Sequence, residues 1–233
     1  MGLFNKLNNS ELTTPEERRT KNNKYIKKMG IACYEELPVI ESSSNVKLKD
    51  LDVICKRAIA SLLSIQVACD IEEKQNYEES RSTFYNLLKE FNVEKDLLDS
   101  EKKLFDSNYN EQDVRNVVWT YECYWSLVWA LGLIEDDEIK IPSDVCNCKK
   151  AITLVSDCKN FEEFKSKTKI RNIEEILDML DLYYRYHWAC VEERVNPDTN
   201  IGVLDHEVVW ERRKGLEWLI SNIDDWNEIP LDT

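Results

Sequence analysis

The chain has 233 residues, 42% of them hydrophobic and 33% charged, with only five glycines and five prolines. So few turn-forming residues exclude an all-β chain with many tight turns and a long disordered linker, and amphipathic helices satisfy both abundant classes at once. A formal net charge of −14 repels phosphates and anionic headgroups, so neither nucleic acid nor a membrane surface is an expected partner.

The opening MGLFNKLNNSE lacks the apolar run of a signal peptide, and Lys6 stands where a myristoylation signal needs Ser or Thr. The expected location is the cytoplasm, where the eight cysteines would stay reduced. A first helix is predicted from TTPEE, with Thr14 as cap, Pro15 at the first helical position and Glu17 completing a capping box. It runs to about Met29 and stops at Gly30. Residues 16–28 carry six basic and two acidic side chains, which are expected on a solvated helix face. The following IACYEELPVIESSSN is too broken for regular structure and contributes one short strand at most. Residues 1–46 are thus a helix and a partly irregular arm, expected to pack as one unit on a main helical domain of residues 47–233.

Leu51, Ile54, Cys55, Ala58, Leu62, Ile65 and Cys69 repeat at helical spacing and predict an amphipathic helix over 49–73. Shorter helices are predicted over 78–91 and 94–105. Residues 111–133 are apolar on nearly every side, which marks a central helix. Its stripe of Trp119, Cys123, Ser126 and Ala130 is mostly small and would let a neighbouring helix come close. Residues 117–134 contain Glu122, Tyr121, Tyr124 and Ser126, so they read as a core helix rather than a membrane span. Gly132 is the expected terminator. One or two short helices are predicted between 144 and 167, a long one over 172–195, and a last one from the cap Asp205 to about Ile223. The fold class is all-α, a single globular multi-helix domain.

Four stretches carry a signature: WTYECYWSLVWALGL (119–133), EILDMLDLYYRYHWA (175–189), ERRKGLEWL (211–219) and DWNEIPLDT (225–233). Together with Y-x-K-x-M-G-I-A…LP (25–38) and RAIASLLSIQVA (57–68), they make the chain resemble the domain-of-unknown-function 4272 family of mostly bacterial proteins. That resemblance implies no reaction, cofactor or partner, since the family has none assigned. Where the family pattern often reads ALNWL, this chain has Gly215-Leu216-Glu217-Trp218-Leu219. Glycine inside that helix is expected to cost about 1 kcal/mol relative to alanine.

Helical spacing puts three ionisable groups on faces that should be buried. Glu122 shares a stripe with Val118, Trp125 and Trp129. His187 lies on the seam of Leu180, Tyr184 and Val191, and Arg212 lies among Val208, Val209, Leu216 and Leu219. A lone buried carboxylate costs several kcal/mol, so Glu122 needs a partner. The expectation is that the three groups meet as a buried network. Arg185 is expected to pair with Asp181 four residues earlier at the helix surface.

No metal or cofactor is expected. Cys146 and Cys148 form a C-x-C with Cys158 ten residues on, but no second close pair completes a zinc set. Inert buried thiols are the plain reading. There is no G-x-S-x-G, no Gly-rich phosphate loop and no H-E-x-x-H. Two functions stay open. The first is a non-enzymatic protein-interaction module that binds a basic partner, which the charge favours. The second is a small-molecule binder or enzyme with a pocket bounded by the 119–129, 184–188 and 211–218 segments. In that case Glu122 and His187 would be the catalytic candidates, and Tyr184, Arg185, Arg212 and Trp125 would be binding candidates.

Overall fold

A computed structural model describes residues 13–233; the first twelve residues, with Lys6, lie outside the described residues. Nine α-helices are described: α1 (Pro15–Lys28), α2 (Leu51–Glu72), α3 (Tyr77–Glu90), α4 (Asp99–Phe105), α5 (Glu111–Ala130), α6 (Cys148–Ser156), α7 (Phe161–Ser166), α8 (Ile173–Val195) and α9 (His206–Ile220). Their starts follow local chemistry. The capping box at Thr14 forms as predicted, with Thr14 N donating to Glu17 Oε2 at 2.9 Å and Glu17 N to Thr14 Oγ1 at 3.2 Å. Asparagine caps five more helices through its side-chain oxygen: Asn76, Asn110, Asn147, Asn160 and Asn172. Asp205 caps α9 in the same way.

Five helices stack in the order α2, α5, α9, α8, α1, each packed on the next. Helices α3, α4, α6 and α7 cover the remaining faces of α2. Residues 57–65 of α2 are consequently buried without interruption. The amphipathic reading of that segment was too modest, because two central helices share the core. Buried Ser61 and Ser64 return their hydroxyls to the carbonyls of Ala58 and Ala60 at 3.1 and 2.8 Å, so they fit a dry helix interior.

Three local expectations are corrected. The helix expected over 94–105 is a single 3-10 turn (Glu94–Asp96) followed by α4. It breaks because Glu101 reaches back to the Leu98 amide at 2.8 Å and opens a new helix there. The last helix ends at Ile220, where Ser221 turns extended and its hydroxyl accepts the Ile223 amide at 2.8 Å. No strand occurs among the described residues, which is within the expectation of one at most. The basic face of α1 is only partly solvated. Arg18 is fully buried and donates to Glu174 Oε2 at 3.0 Å and to the Glu41 carbonyl at 3.3 Å. Asn22 donates to Asp181 Oδ2 at 2.8 Å, and Lys21 bridges Asp178 at 2.7 Å. The cationic stretch thus answers an acidic face of α8 and holds the arm on the body. No described helix is long and apolar enough to cross a membrane.

Gly132 ends α5 as expected, with φ +70° and the Lys169 carbonyl so close that an added Cβ would lie 2.3 Å from its oxygen. Gly215 matters differently. The small stripe of α5 faces α9, and a Cβ on Gly215 would fall 2.7 Å from the Cys123 carbonyl oxygen and 3.0 Å from its Cα. Side chains of α5 reach α9 backbone across this contact: Ser126 Oγ donates to the Arg212 carbonyl at 2.9 Å, and Cys123 Sγ to that of Glu211 at 3.2 Å. Close approach therefore outweighs helix propensity. Gly215→Ala is expected to lower the unfolding free energy by about 1–3 kcal/mol through overpacking. A urea titration that instead found the variant more stable, as propensity alone demands, would refute the close α5–α9 contact.

Candidate functional site

Glu122, on α5, and Arg212, on α9, do meet. Arg212 Nε donates to Glu122 Oε2 at 2.7 Å, and the two residues are 2% and 1% exposed. The second carboxylate oxygen, Oε1, accepts the Cys146 amide at 2.6 Å. Arg212 Nη1 reaches the Ile139 carbonyl at 3.4 Å and the Tyr183 hydroxyl at 3.5 Å, and Nη2 donates to the Asp144 carbonyl at 3.1 Å. Tyr183, from α8, donates to the same Ile139 carbonyl. Every nitrogen of the guanidinium and both carboxylate oxygens are therefore satisfied. What they satisfy is the backbone of the 131–147 loop, which has one short 3-10 turn and lies against the core. Trp125 belongs to the same device, since its Nε1 donates to the Glu138 carbonyl at 3.0 Å.

His187 does not join them. Its Nδ1 accepts from Arg213 Nη1, one residue along from Arg212 and on another face of α9. An arginine only donates, so the neutral ring carries its proton on Nε2, which has no hydrogen-bond partner among the described residues. The ring stands edge-to-face against Trp210 with centroids 4.7 Å apart. Burial and the Arg213 charge push its pKa down to about 3. Arg213 also donates to the Asp232 carbonyl at 3.0 Å and lies over the Tyr184 ring. It ties the C-terminal segment to α8 and α9. The expected three-residue network is thus two separate buried ties, because neighbouring α9 positions point about 100° apart.

Arg185 pairs with Asp181 as predicted, bidentately at 2.7 and 2.9 Å, but not at a surface: α1 covers both, leaving them 2% and 0% exposed. Sequence reading missed a further pair, Arg57 with Glu101, which are 4% and 1% exposed. Arg57 also donates to the Asp96 carbonyl at 2.7 Å and lies over the Trp226 ring. A signal was present, since Arg57 stands among Ile54, Ala58 and Ser61 on a buried helix.

None of the six sequence candidates lines a polar surface cleft of about 630 Å³ between α4, α5, α9 and the C-terminal turn. Its wall carries the carboxylates of Asp99, Asp113, Glu207, Glu211 and Asp225, with Lys103 and Lys214 as the basic groups. Both lysines are already bridged, Lys103 to Asp113 at 2.8 Å and Lys214 to Glu211 at 2.6 Å. Trp119, 36% exposed, presents the one large apolar surface there. The α5 wall runs over residues 112–120, overlapping the expected 119–129 boundary only at Trp119 and Thr120, and the α9 wall is Glu207, Glu211 and Lys214. The third wall is α4 with the C-terminal turn, not α8. Among the described residues no group of three His, Cys, Asp or Glu side chains is placed to hold a metal ion.

Residues 18–229 match the model of the family described as Domain of unknown function (DUF4272), and the chain belongs to that family. No curated protein and no solved structure matches it.

Two stability measurements check the buried ties. Arg212→Met leaves a carboxylate buried without its ion partner and is expected to cost about 3–5 kcal/mol, with Glu122→Gln on the same background recovering part of the loss. Strictly additive losses in urea titrations would disprove the coupling. For His187, the unfolded chain takes up a proton near pH 6.5 that the fold refuses until about 3. Stability contributed by the neutral ring is thus complete above 6.5 and falls as pH drops towards 3. His187→Gln is expected to flatten the stability profile between about pH 6.5 and 5.5, above the main carboxylate range. Parallel profiles for the two proteins would contradict a neutral buried imidazole.

Proposed function

We propose that this DUF4272 chain is a non-enzymatic protein-interaction module, and that the cleft between α4, α5 and α9 receives a basic segment of its partner. The observation that carries this reading is the cleft's charge: five carboxylates line it against two lysines, and with Lys103 paired to Asp113 and Lys214 to Glu211 the lining keeps an excess of three carboxylates. A cationic side chain entering such a hollow gains complementary charge, and the chain's net charge of −14 speeds its approach. Trp119 at the wall supplies the aromatic anchor that interfaces favour. The same charge argues against a nucleic-acid partner. Eight free cysteines support the cytoplasmic location.

A second reading rests on size. About 630 Å³ lies within the range of small-molecule pockets, so a small organic cation is the competing occupant. The residues first suspected of catalysis do not support an enzyme, since Glu122 and His187 are both occupied by internal arginines away from the cleft.

Affinity purification of the tagged chain from its native host decides between them. The expected result is a stoichiometric basic protein that is retained by the wild type and lost from a Glu207→Lys, Trp119→Ala variant of unchanged melting temperature. A partner held equally by both proteins, or no stoichiometric partner at all, would overturn the reading.

A further inference from the structure

A second hollow, of about 450 Å³, lies between the end of α2 and α3 and shares no residue with the cleft beside Trp119. Asp70, Glu73 and Glu79 supply its carboxylates, Ser80 and Thr83 its hydroxyls, and half-buried Phe84 an apolar wall. No lysine or arginine lines it, whereas two lysines line the cleft. Among the described residues none of the three carboxylates is ion-paired. The nearest basic residues in sequence are turned elsewhere: Lys74 lines a different hollow with Tyr109 and Glu111, and Arg81 donates to Glu78 and to the Phe105 carbonyl.

Two further features of the hollow go against the habits of the rest of the chain. α2 ends on Asp70 and Glu72, with Glu73 as its C-cap and no basic residue in its last turn, so acid stands at the negative end of the helix dipole. By contrast α1, α3, α7 and α8 each close on lysine or arginine. Ser80 is the second exception. It is 7% exposed, yet its hydroxyl has no hydrogen-bond partner among the described residues. The other buried serines, Ser61, Ser64 and Ser126, all donate to backbone carbonyls. A buried hydroxyl and three carboxylates around one hollow thus lack the same thing, a positively charged hydrogen-bond donor.

We propose that this hollow binds a free aliphatic polyamine, with its ammonium groups on Asp70, Glu73 and Glu79, one N–H donated to Ser80 Oγ and its methylenes against Phe84. A compact divalent cation does not suit the lining, because among the described residues no three His, Cys, Asp or Glu side chains are placed to share one metal ion. Carboxylates set apart around a hollow call for positive charges set apart along a flexible chain. Each ammonium brings three donors, and the aliphatic links leave water for the phenyl ring. A lysine side chain shares the chemistry but brings one ammonium on a branched backbone. The hollow's volume lies within the range of small-molecule sites. Occupancy would also place the missing cation at the end of α2, so the ligand stabilises the fold it binds.

The full chain is titrated with spermidine in a calorimeter at low ionic strength, where surface charge is least screened. One saturable site is expected. A double variant, Asp70→Asn with Glu79→Gln, is expected to weaken it about tenfold, and Ser80→Ala about threefold, with neither lowering the melting temperature. The Glu207→Lys, Trp119→Ala variant of the cleft is expected to bind spermidine as the wild type does, so failure of the cleft's partner and failure of this site are told apart. Magnesium chloride and a trilysine peptide are each expected to compete at least about tenfold less well than spermidine itself. Equal competition by magnesium would reduce the site to charge screening, and equal competition by trilysine would assign it to a partner's lysine. Either result, undiminished binding by the double variant, or no saturable binding at all would overturn the proposal.

Discussion

The structure depends on how a seventeen-residue connection with few backbone hydrogen bonds of its own is made compatible with a dry interior. Between α5 and α6 the backbone passes over the core at Ile139 and Asp144, and a buried carbonyl or amide without a partner costs as much as a lost hydrogen bond. The Glu122–Arg212 pair meets that demand, because its two carboxylate oxygens and three guanidinium nitrogens contact three loop residues as well as each other. Trp125 and Tyr183 complete the lining with one donor each. An apolar pair of equal volume would pack as well, but it would leave the loop unsatisfied.

The other buried charges follow the same rule at other seams. Arg57 and Glu101 join α2 to α4, Arg18 and Glu174 join α1 to α8, Asp181 and Arg185 lie beneath α1, and Arg213 holds the C-terminal segment. Arg18, Arg57 and Arg213 each also donate to a backbone carbonyl, and in the Arg185 pair it is Asp181 that accepts a further hydrogen bond, from Asn22 of α1. The pairs therefore specify which segment goes where, which apolar contact alone does poorly among many similar helices. Arginines committed inside are unavailable to offset the surface carboxylates. That is one physical reason why the cleft beside Trp119 remains acidic.

Much of the fold could be read in advance because its signals are local. The Thr14 capping box, the terminator Gly132, the apolar girth of α5 and its small stripe are all statements about residues within a turn or two of one another. Asp181 with Arg185 was found for the same reason, being four residues apart on one helix. The site was harder. Glu122 was identified as needing a cation, and Arg212 supplied it, since each was the polar exception on an otherwise buried face. His187 was placed with them only because helix faces do not say which helices touch.

The sequence by itself determined the all-α class, the long helices to within a few residues, the family, and that Glu122, His187 and Arg212 lie on buried faces. Tertiary structure alone decided who answers them. Arg212 and Arg213 are adjacent in sequence yet serve Glu122 and His187 separately, because consecutive helical residues diverge by about 100°. It also decided that Gly215 is needed for contact and not a weakness, that Asp181 and Arg185 lie under α1, and that the open cleft lies against α4, away from α8. These are facts of the spacing between helices, and a linear pattern holds no information about a distance that is set by packing.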